Sequence, residues 1–334
     1  MKVLVTGAGG FLGQAVVKAA AQAGLDIVAM YRPASLPDAT ALPAGVTPLA
    51  GDLRQSGTWR TELAGIETVV HCAAAFGDLS AQLAGTVLAT ENLLAALPET
   101  VQRIVHISSF SVYDFDAPGW HGKLDEQTQI ENKPQRRDAY TQTKLIQERM
   151  VRDYAAAHSI DLVVARPGAI YGPGKDWDCG RAMRVGPFDI IFAPFSAMRL
   201  IHVENCADAI VAALTVQLNG PLTVNLVDAE QPGHWRFHHL TRRAGVAKSL
   251  GVPIPYAIVL ALGFAARMAS RLFFHGRAKL PEMLDIPRQR VRWRALRYPN
   301  DTARAELGWQ QKLTLAQGVA TLVDRASQLN RKVI

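Results

Sequence analysis

The sequence predicts an α/β protein: a doubly wound parallel sheet with a smaller C-terminal substrate lobe. Three observations predict it. Short apolar and β-branched runs alternate with longer stretches of helix formers, which calls for right-handed βαβ crossovers and a sheet covered on both faces. The first of these runs leads straight into a glycine turn, Thr6-Gly7-Ala8-Gly9-Gly10-Phe11-Leu12-Gly13. The chain has 334 residues, 49% of them hydrophobic, enough to bury a sizeable core.

Val3 to Thr6 reads as a short buried strand, and Gln14 to Ala23 as a helix stopped by Gly24. Gly7, Gly10 and Gly13 fall at the connection. There the absence of Cβ lets backbone N–H groups approach a pyrophosphate that also meets the positive end of the helix. Asp26 to Tyr31 is the second strand, followed by a loop from Arg32-Pro33 to about Gly45, and Val46 to Ala50 is the third. The third strand delivers Gly51-Asp52-Leu53 to its C-terminal end. Glu67 to Ala74 is a strand whose last residues, Cys72-Ala73-Ala74, are small enough for a ligand to pass close. A helix over Thr86 to Leu97 and a strand over Val101 to Ser108 follow.

Asp114 to Asp138 is a polar excursion with Pro118, Gly119, Gly122 and Pro134, and loops of that length in compact domains are usually functional. Ala139 to His158 is a helix and Asp161 to Arg166 a strand that ends in Arg166-Pro167-Gly168-Ala169-Ile170-Tyr171-Gly172-Pro173-Gly174. Beyond it the alternation loosens, with strands at Arg199 to Val203 and Leu222 to Leu226 and a helix at Cys206 to Leu218. The expected division is a dinucleotide-binding domain over 1–174 and a lobe over 175–334, with 201–227 returning to the sheet.

Composition narrows the classes. Cys72, Cys179 and Cys206 form no Cys-x-x-Cys pair, which fits reduced thiols, and the first strand begins too early for a secretory leader. The expected location is the cytoplasm. Charge is uneven: residues 231–334 hold 18 Lys and Arg against 5 acids, whereas the whole chain holds 36 against 29. Such asymmetry points to an anionic partner. The longest charge-free apolar run, Val252 to Ala266, has 15 residues, short of the roughly 18 of a membrane span. Its helix, Tyr256 to Phe274, is expected to be core, a lid, or a peripheral contact at the inner face of a membrane.

The chemistry concentrates at Tyr140 and Lys144, one helical turn apart. A phenol near its ordinary pKa of about 10 is a poor base at neutral pH, but a fixed ammonium beside it would lower that pKa. Upstream, Ser108-Ser109-Phe110-Ser111 ends a strand at the sheet edge where ligands of open α/β folds bind, so a hydroxyl there can hold the same substrate oxygen.

These motifs resemble the extended short-chain dehydrogenase/reductases, the family of NAD-dependent epimerases and dehydratases with a Rossmann-type core. Thr6 to Gly13, Gly51-Asp52-Leu53, His71 to Ala74, Ser108 to Tyr113, Tyr140 to Lys144, Arg166 to Gly174 and His202-Val203-Glu204-Asn205 occur in the family's order, with a family-like ending at Asp301 to Gly318. The resemblance implies that Tyr140 is the general acid/base, Ser109 the donor to the substrate oxygen, and Lys144 the residue that lowers the phenol pKa and holds the nicotinamide ribose. It likewise implies that Gly7, Gly10, Phe11, Leu12 and Gly13 line the pyrophosphate and that Asp52 and Leu53 sit by the adenine. Tyr31, Arg32, Ala73, Ala74 and Pro167 complete the cofactor set. The activity implied is hydride transfer between a nicotinamide and a carbon bearing a secondary alcohol or ketone. Two alternatives stand beside it: a nucleotide-sugar 4-epimerase, and, from another class, a cofactor-binding scaffold with a basic docking surface.

Three departures qualify the resemblance. Thr86 stands where many members carry a buttressing asparagine. Ser109-Phe110-Ser111 lacks the acids of the dehydratase branch. Tyr31 occupies the place of the aspartate that accepts ribose hydroxyls in NAD-preferring members, so NADP is expected, with NAD as the alternative. The partner expected is a small molecule, with a homodimer allowed. Glu230, His234 and His238 have helical spacing, but Pro232 and Gly233 interrupt such a helix, and no metal is expected there. His202 is expected to buttress the sheet. Arg288, Arg290, Arg292 and Arg294 would share one face of an extended strand, but no nucleic-acid motif accompanies them, and no nucleic-acid partner is expected.

Overall fold

The computed structural model describes residues 1–275, 277 and 281–331. Its first half alternates as the apolar runs require: β1 (Lys2–Thr6), α1 (Phe11–Gln22), β2 (Asp26–Tyr31), β3 (Val46–Ala50) and β4 (Thr68–His71). The helix expected from Thr86 begins earlier and is not uniform. It runs as α2 (Leu79–Gln82), a π-helical segment over Leu83–Leu88, and α3 (Ala89–Leu94). Then come β5 (Arg103–Ile107), the long helix α4 (Ala139–Ala157), β6 (Asp161–Pro167) and β7 (Ala169–Tyr171). Asp138 caps α4 by accepting from the Thr141 N–H at 2.7 Å, which fixes where the helix starts.

The second half interleaves two destinations. β8 (Met183–Val185) and β9 (Phe188–Phe192) leave the core; β10 (Leu200–His202), α5 (Val203–Thr215) and β11 (Leu222–Leu226) return to it. α6 (His234–Arg243), β12 (Leu250–Ile254), α7 (Tyr256–Phe274) and α8 (Ile286–Trp293) build the lobe, and α9 (Asp301–Leu307) and α10 (Leu315–Arg331) close the chain.

The main sheet is seven-stranded and parallel throughout, in the order β11-β6-β5-β4-β1-β2-β3. Alternation along β1 divides the interior: Val3 and Val5 face a core shared with α1 and α5, while Leu4 faces one shared with α3 and α4. Strand order reverses between β1 and β4. The crevice at the C-terminal ends of those strands is the topological switch point where open α/β sheets hold ligands. A small sheet, β12-β9-β8, lies in the lobe.

Two expectations are corrected. Arg288, Arg290 and Arg292 lie on a helix, α8, with Arg294 at its C-terminal cap, so they do not share one face of a strand. The alternation that reads as a strand is overridden by Pro287 in the first helical turn and by tertiary anchors: Arg294 donates to the Phe115 carbonyl at 2.7 Å, and Arg290 pairs with Asp116 at 3.0 Å. A core role for α7 is excluded, because only 17% of Tyr256–Phe273 is buried. The segment occupies 19 residues by taking in Arg267 and Arg271, and by length and composition alone it could cross a membrane. In the fold, a narrow stripe seats it against α8. Val259 and Ser270 are buried, the Val259 carbonyl accepts from Gln289 Nε2 at 3.2 Å, and a Cβ on Gly263 would lie 2.6 Å from the same nitrogen. Its other faces carry exposed Ile258, Leu262, Phe264, Met268, Leu272 and Phe273.

Candidate active site

The glycine turn is built by close approach. Gly7 adopts φ +68°, and a Cβ there would meet the Ala73 nitrogen at 2.9 Å; one on Gly13 would fall 2.1 Å from the Gly7 carbonyl oxygen. A side chain at either position would push β1, β4 and α1 apart. Gly10 is the N-cap of α1 and offers no side chain to the first helical N–H groups, and the first turn carries no acid. Phe11, Leu12 and Gly13 therefore stand at an uncapped, electropositive helix end beside a turn stripped of side chains, an arrangement that suits a diphosphate. These residues fit a dinucleotide.

The far end of that crevice carries Tyr31, Arg32, Asp52 and Leu53. Tyr31 is buried, and its ring carbon Cδ1 would lie 3.3 Å from a Cβ on Gly9. Arg32 is exposed, with Ser35 Oγ donating to its carbonyl at 3.2 Å. Asp52 is clamped by Arg54 at 2.6 Å; that bond, with charge from Arg54 and Arg32, holds its carboxyl below the usual carboxylate range. Leu53 is buried, and its carbonyl accepts from Asn92 at 2.8 Å. Ala73 and Ala74 lie half-buried past the end of β4, and Pro167 is buried at the end of β6.

Ser109, Tyr140 and Lys144 come together where β5 and α4 meet, though not as the helical spacing alone implies. Ser109 lies just past β5, accepts from the Ser111 N–H at 3.1 Å, and its hydroxyl favours the ionised form of the Tyr140 phenol. Burial raises the Tyr140 pKa above 10.0; the Ser109 side chain opposes this and the charge of Asp138 adds to it. The expected lowering by Lys144 is not found. Lys144 Nζ is turned toward the sheet, donating to the Ile107 carbonyl at 2.7 Å and to Gln147 Oε1 at 2.8 Å. Two strong acceptors behind the helix outcompete a phenol one turn away. Burial in turn lowers the lysine's own pKa to about 8.

Behind this group runs a polar network that the motifs do not name. Gln147 donates to Thr90 Oγ1 at 2.8 Å and to the Ala73 carbonyl at 3.1 Å, and His71 bridges Thr6 Oγ1 at 2.8 Å and Thr90 Oγ1 at 2.9 Å. Lys144 is thereby tied through Gln147 to the strand end that backs the glycine turn. Thr86, in the asparagine position, accepts the Ala75 N–H at 2.9 Å, so its hydroxyl holds the segment after β4. A second anchor is the buried ion pair of Glu148 with Arg166, joined by Ser108. Gln147 and Glu148 follow Lys144 at i+3 and i+4, the one signal in the sequence that could have marked them.

Phe76 and Lys175 are also absent from the expected set. Phe76, although 71% exposed, stacks on the Tyr140 ring with centroids 5.4 Å apart and planes 9° apart. Other candidates do not converge: His202 caps α5 by accepting from the Glu204 N–H, His238 bonds Asp189 at 3.1 Å, His234 faces the Gly180 carbonyl, and Glu230 pairs with Arg236.

A family model described as the NAD dependent epimerase/dehydratase family matches residues 3–226. A 2-alkyl-3-oxoalkanoate reductase from Stenotrophomonas maltophilia (strain K279a) is 32% identical over 178 residues, 52% of this chain and 52% of that protein. A dTDP-4-dehydro-6-deoxy-D-allose reductase from a Streptomyces species is 29% identical over 194 residues, 54% of this chain and 59% of that protein. The chain thus spans about half the length of the curated relatives it matches. In fold, it is similar to UDP-glucuronic acid 4-epimerase from Bacillus cereus, solved with UDP-glucuronic acid and NAD. The TM-score is 0.72 at 19% identity, covering 98% of this chain and 100% of that one.

Proposed function

The chain belongs to the NAD-dependent epimerase/dehydratase family, and from that premise we propose that it is a nicotinamide-dependent reductase converting a ketone to a secondary alcohol. The observation that carries this reading is the grouping of Ser109, Tyr140 and the buried Lys144 where β5 meets α4, beside a glycine turn that fits a dinucleotide. When bound, the nicotinamide supplies the hydride. Ser109 and Tyr140 hold the carbonyl oxygen, and the phenol gives its proton to the alkoxide as it forms. The phenol is protonated at neutral pH and burial raises its pKa further, which suits an acid in reduction better than a base in oxidation. Lys144, Gln147 and the backbone of β5 keep the catalytic turn of α4 in register with the sheet. The named relatives quoted above are reductases, which supports the direction.

The 4-epimerase reading rests on likeness of fold alone. One experiment separates the two: ketone and nucleotide-sugar panels incubated with NADPH, following both cofactor absorbance and product. Reduction consumes NADPH in step with the alcohol formed; an epimerase interconverts sugars without net consumption. No turnover of any ketone would overturn the proposal.

Of the two coenzymes we favour NADP. Arg32 is exposed next to Tyr31, so a 2′-phosphate would gain a guanidinium and meet no carboxylate at that position. Arg32→Ala is expected to weaken NADP binding about tenfold or more and leave NAD binding unchanged, measured by equilibrium titration. Tighter binding of NAD than NADP by the parent protein would reverse the preference.

We further read α7 as a peripheral contact with an anionic lipid surface. Its outward face is apolar, Arg267 and Arg271 are exposed on the same helix, and the C-terminal third carries the excess of basic residues. A second copy docked face to face on α7 would bring those arginines together.

A further inference from the structure

Lys175 stands in an aromatic enclosure at the mouth of the candidate site. Its Nζ lies 5.4 Å from the ring centre of Phe11, 6.0 Å from that of Phe76 and 5.2 Å from that of Trp177. Each ring belongs to something already described or adjoining it. Phe11 opens α1 immediately after the glycine turn, Phe76 is stacked on Tyr140, and Trp177 anchors its own loop by donating to the Ile170 carbonyl at 2.7 Å. The position of Lys175 is fixed by backbone: Gly172 and Lys175 exchange both N–H···O bonds, at 3.1 and 2.8 Å, and a Cβ on Gly172 would touch Phe11 at 3.3 Å.

The enclosure is chemically one-sided. Among the described residues no carboxylate pairs with Lys175, and burial alone shifts its pKa, downward. Aromatic faces stabilise a cation, but they replace only part of the water that an ammonium loses. Phe76 and Trp177 are 71% and 41% exposed, so the enclosure is open toward solvent. A cation without a counter-ion among the described residues, beside the glycine turn and the ring stacked on Tyr140, is arranged to receive a negative group from outside the chain.

We propose that Lys175 is a specificity-determining residue that binds an anionic oxygen group, a carboxylate or phosphate, between the glycine turn and Tyr140. That group is either an acidic function of the substrate close to its reacting carbon or the diphosphate of the cofactor. The inference rests on the reading that Tyr140 faces the reacting carbon, and it narrows the substrate to acidic ketones if the first source holds. An anion there would be bound by a charge-assisted hydrogen bond.

Calorimetric titrations of the full chain separate the sources, with octanoate, methyl octanoate, inorganic pyrophosphate and NADP as probes. Lys175→Met keeps the length of the stem and removes the charge; Lys175→Arg keeps the charge. If the substrate supplies the anion, NADP-saturated protein binds octanoate about tenfold or more tightly than its methyl ester, Lys175→Met removes that preference, and Lys175→Arg retains most of it. If the cofactor supplies it, Lys175→Met weakens NADP and pyrophosphate about tenfold, and octanoate no longer discriminates once NADP is bound. Octanoate, pyrophosphate and NADP all binding Lys175→Met within about twofold of the parent would overturn the proposal. Should that variant not fold, the parent alone decides: equal binding of acid and ester with no pyrophosphate binding has the same force. Because these readouts are equilibria, failure to reduce any ketone would sink the reductase reading and leave the anion site standing.

Discussion

Lys144 is 3% exposed, and its ammonium donates charge-assisted bonds to both the Ile107 carbonyl and Gln147 Oε1. Its pKa, lowered by burial from 10.5 to about 8, separates two pH dependences. As pH rises through 8 the folded protein releases this proton, while the unfolded chain keeps its own until about 10.5. Over that window the unfolded state binds more protons, so this group's contribution makes the fold more stable as pH rises. Activity should move the other way, since a neutral amine no longer holds α4 to β5 by a charged bond. Rate and melting temperature measured on the same samples across this range should diverge, and Lys144→Met should flatten both contributions. A rate that stays level to pH 10 would show that the ammonium is not needed. Tyr140→Phe is the complementary test. With only a proton carrier removed, cofactor binding should persist and turnover fall about a hundredfold or more; full activity in that variant would remove the mechanism.

At the level of elements, α7 invites a direct experiment. Its inward stripe of Val259, Gly263 and Ser270 is narrow and made mostly of small residues, so the outward residues can be changed without disturbing its seat on α8. The parent protein should co-sediment with phosphatidylserine-rich vesicles at low salt, less as salt rises, and not with phosphatidylcholine alone. Leu262→Glu combined with Leu272→Glu should abolish that binding with catalysis intact. If the parent shows no vesicle binding at low salt, the lid role remains. The same helix shows where sequence is legible and where it is not. Its ends, Tyr256 and Phe274, follow from Pro255 and the apolar run, but a run this apolar does not reveal which side meets protein. That is decided by Gln289 and the other residues of α8, which are distant in sequence. For the same reason α8 itself is misread as a strand. Alternating arginines satisfy a two-residue period, and only the partners Phe115 and Asp116 on the long loop fix the helical alternative.

Across the whole molecule, the strands and the turn between β1 and α1 were readable because each is specified locally, by β-branched runs and by glycines with no room for a Cβ. At Ser109, Tyr140 and Lys144 the residue types and their spacing are visible in the sequence, but their geometry is not. Spacing places Tyr140 and Lys144 on one helical face, whereas the Lys144 charge is oriented by Ile107 and Gln147, and the ring over Tyr140 comes from Phe76. Lys175 was not readable at all, since three rings far apart in sequence define its surroundings. The register of β11 on β6, with Leu222 opposite Val163 and Leu226 opposite Pro167, has a meaning for biosynthesis. A nascent chain that has emerged only as far as β6 carries an unpaired, apolar strand edge, and the strand that covers it is not complete until residue 226, after all of β8 to α5. At roughly 5–20 residues per second the edge is bare for several seconds, an interval in which a chaperone, or another nascent chain, competes with β11 for it.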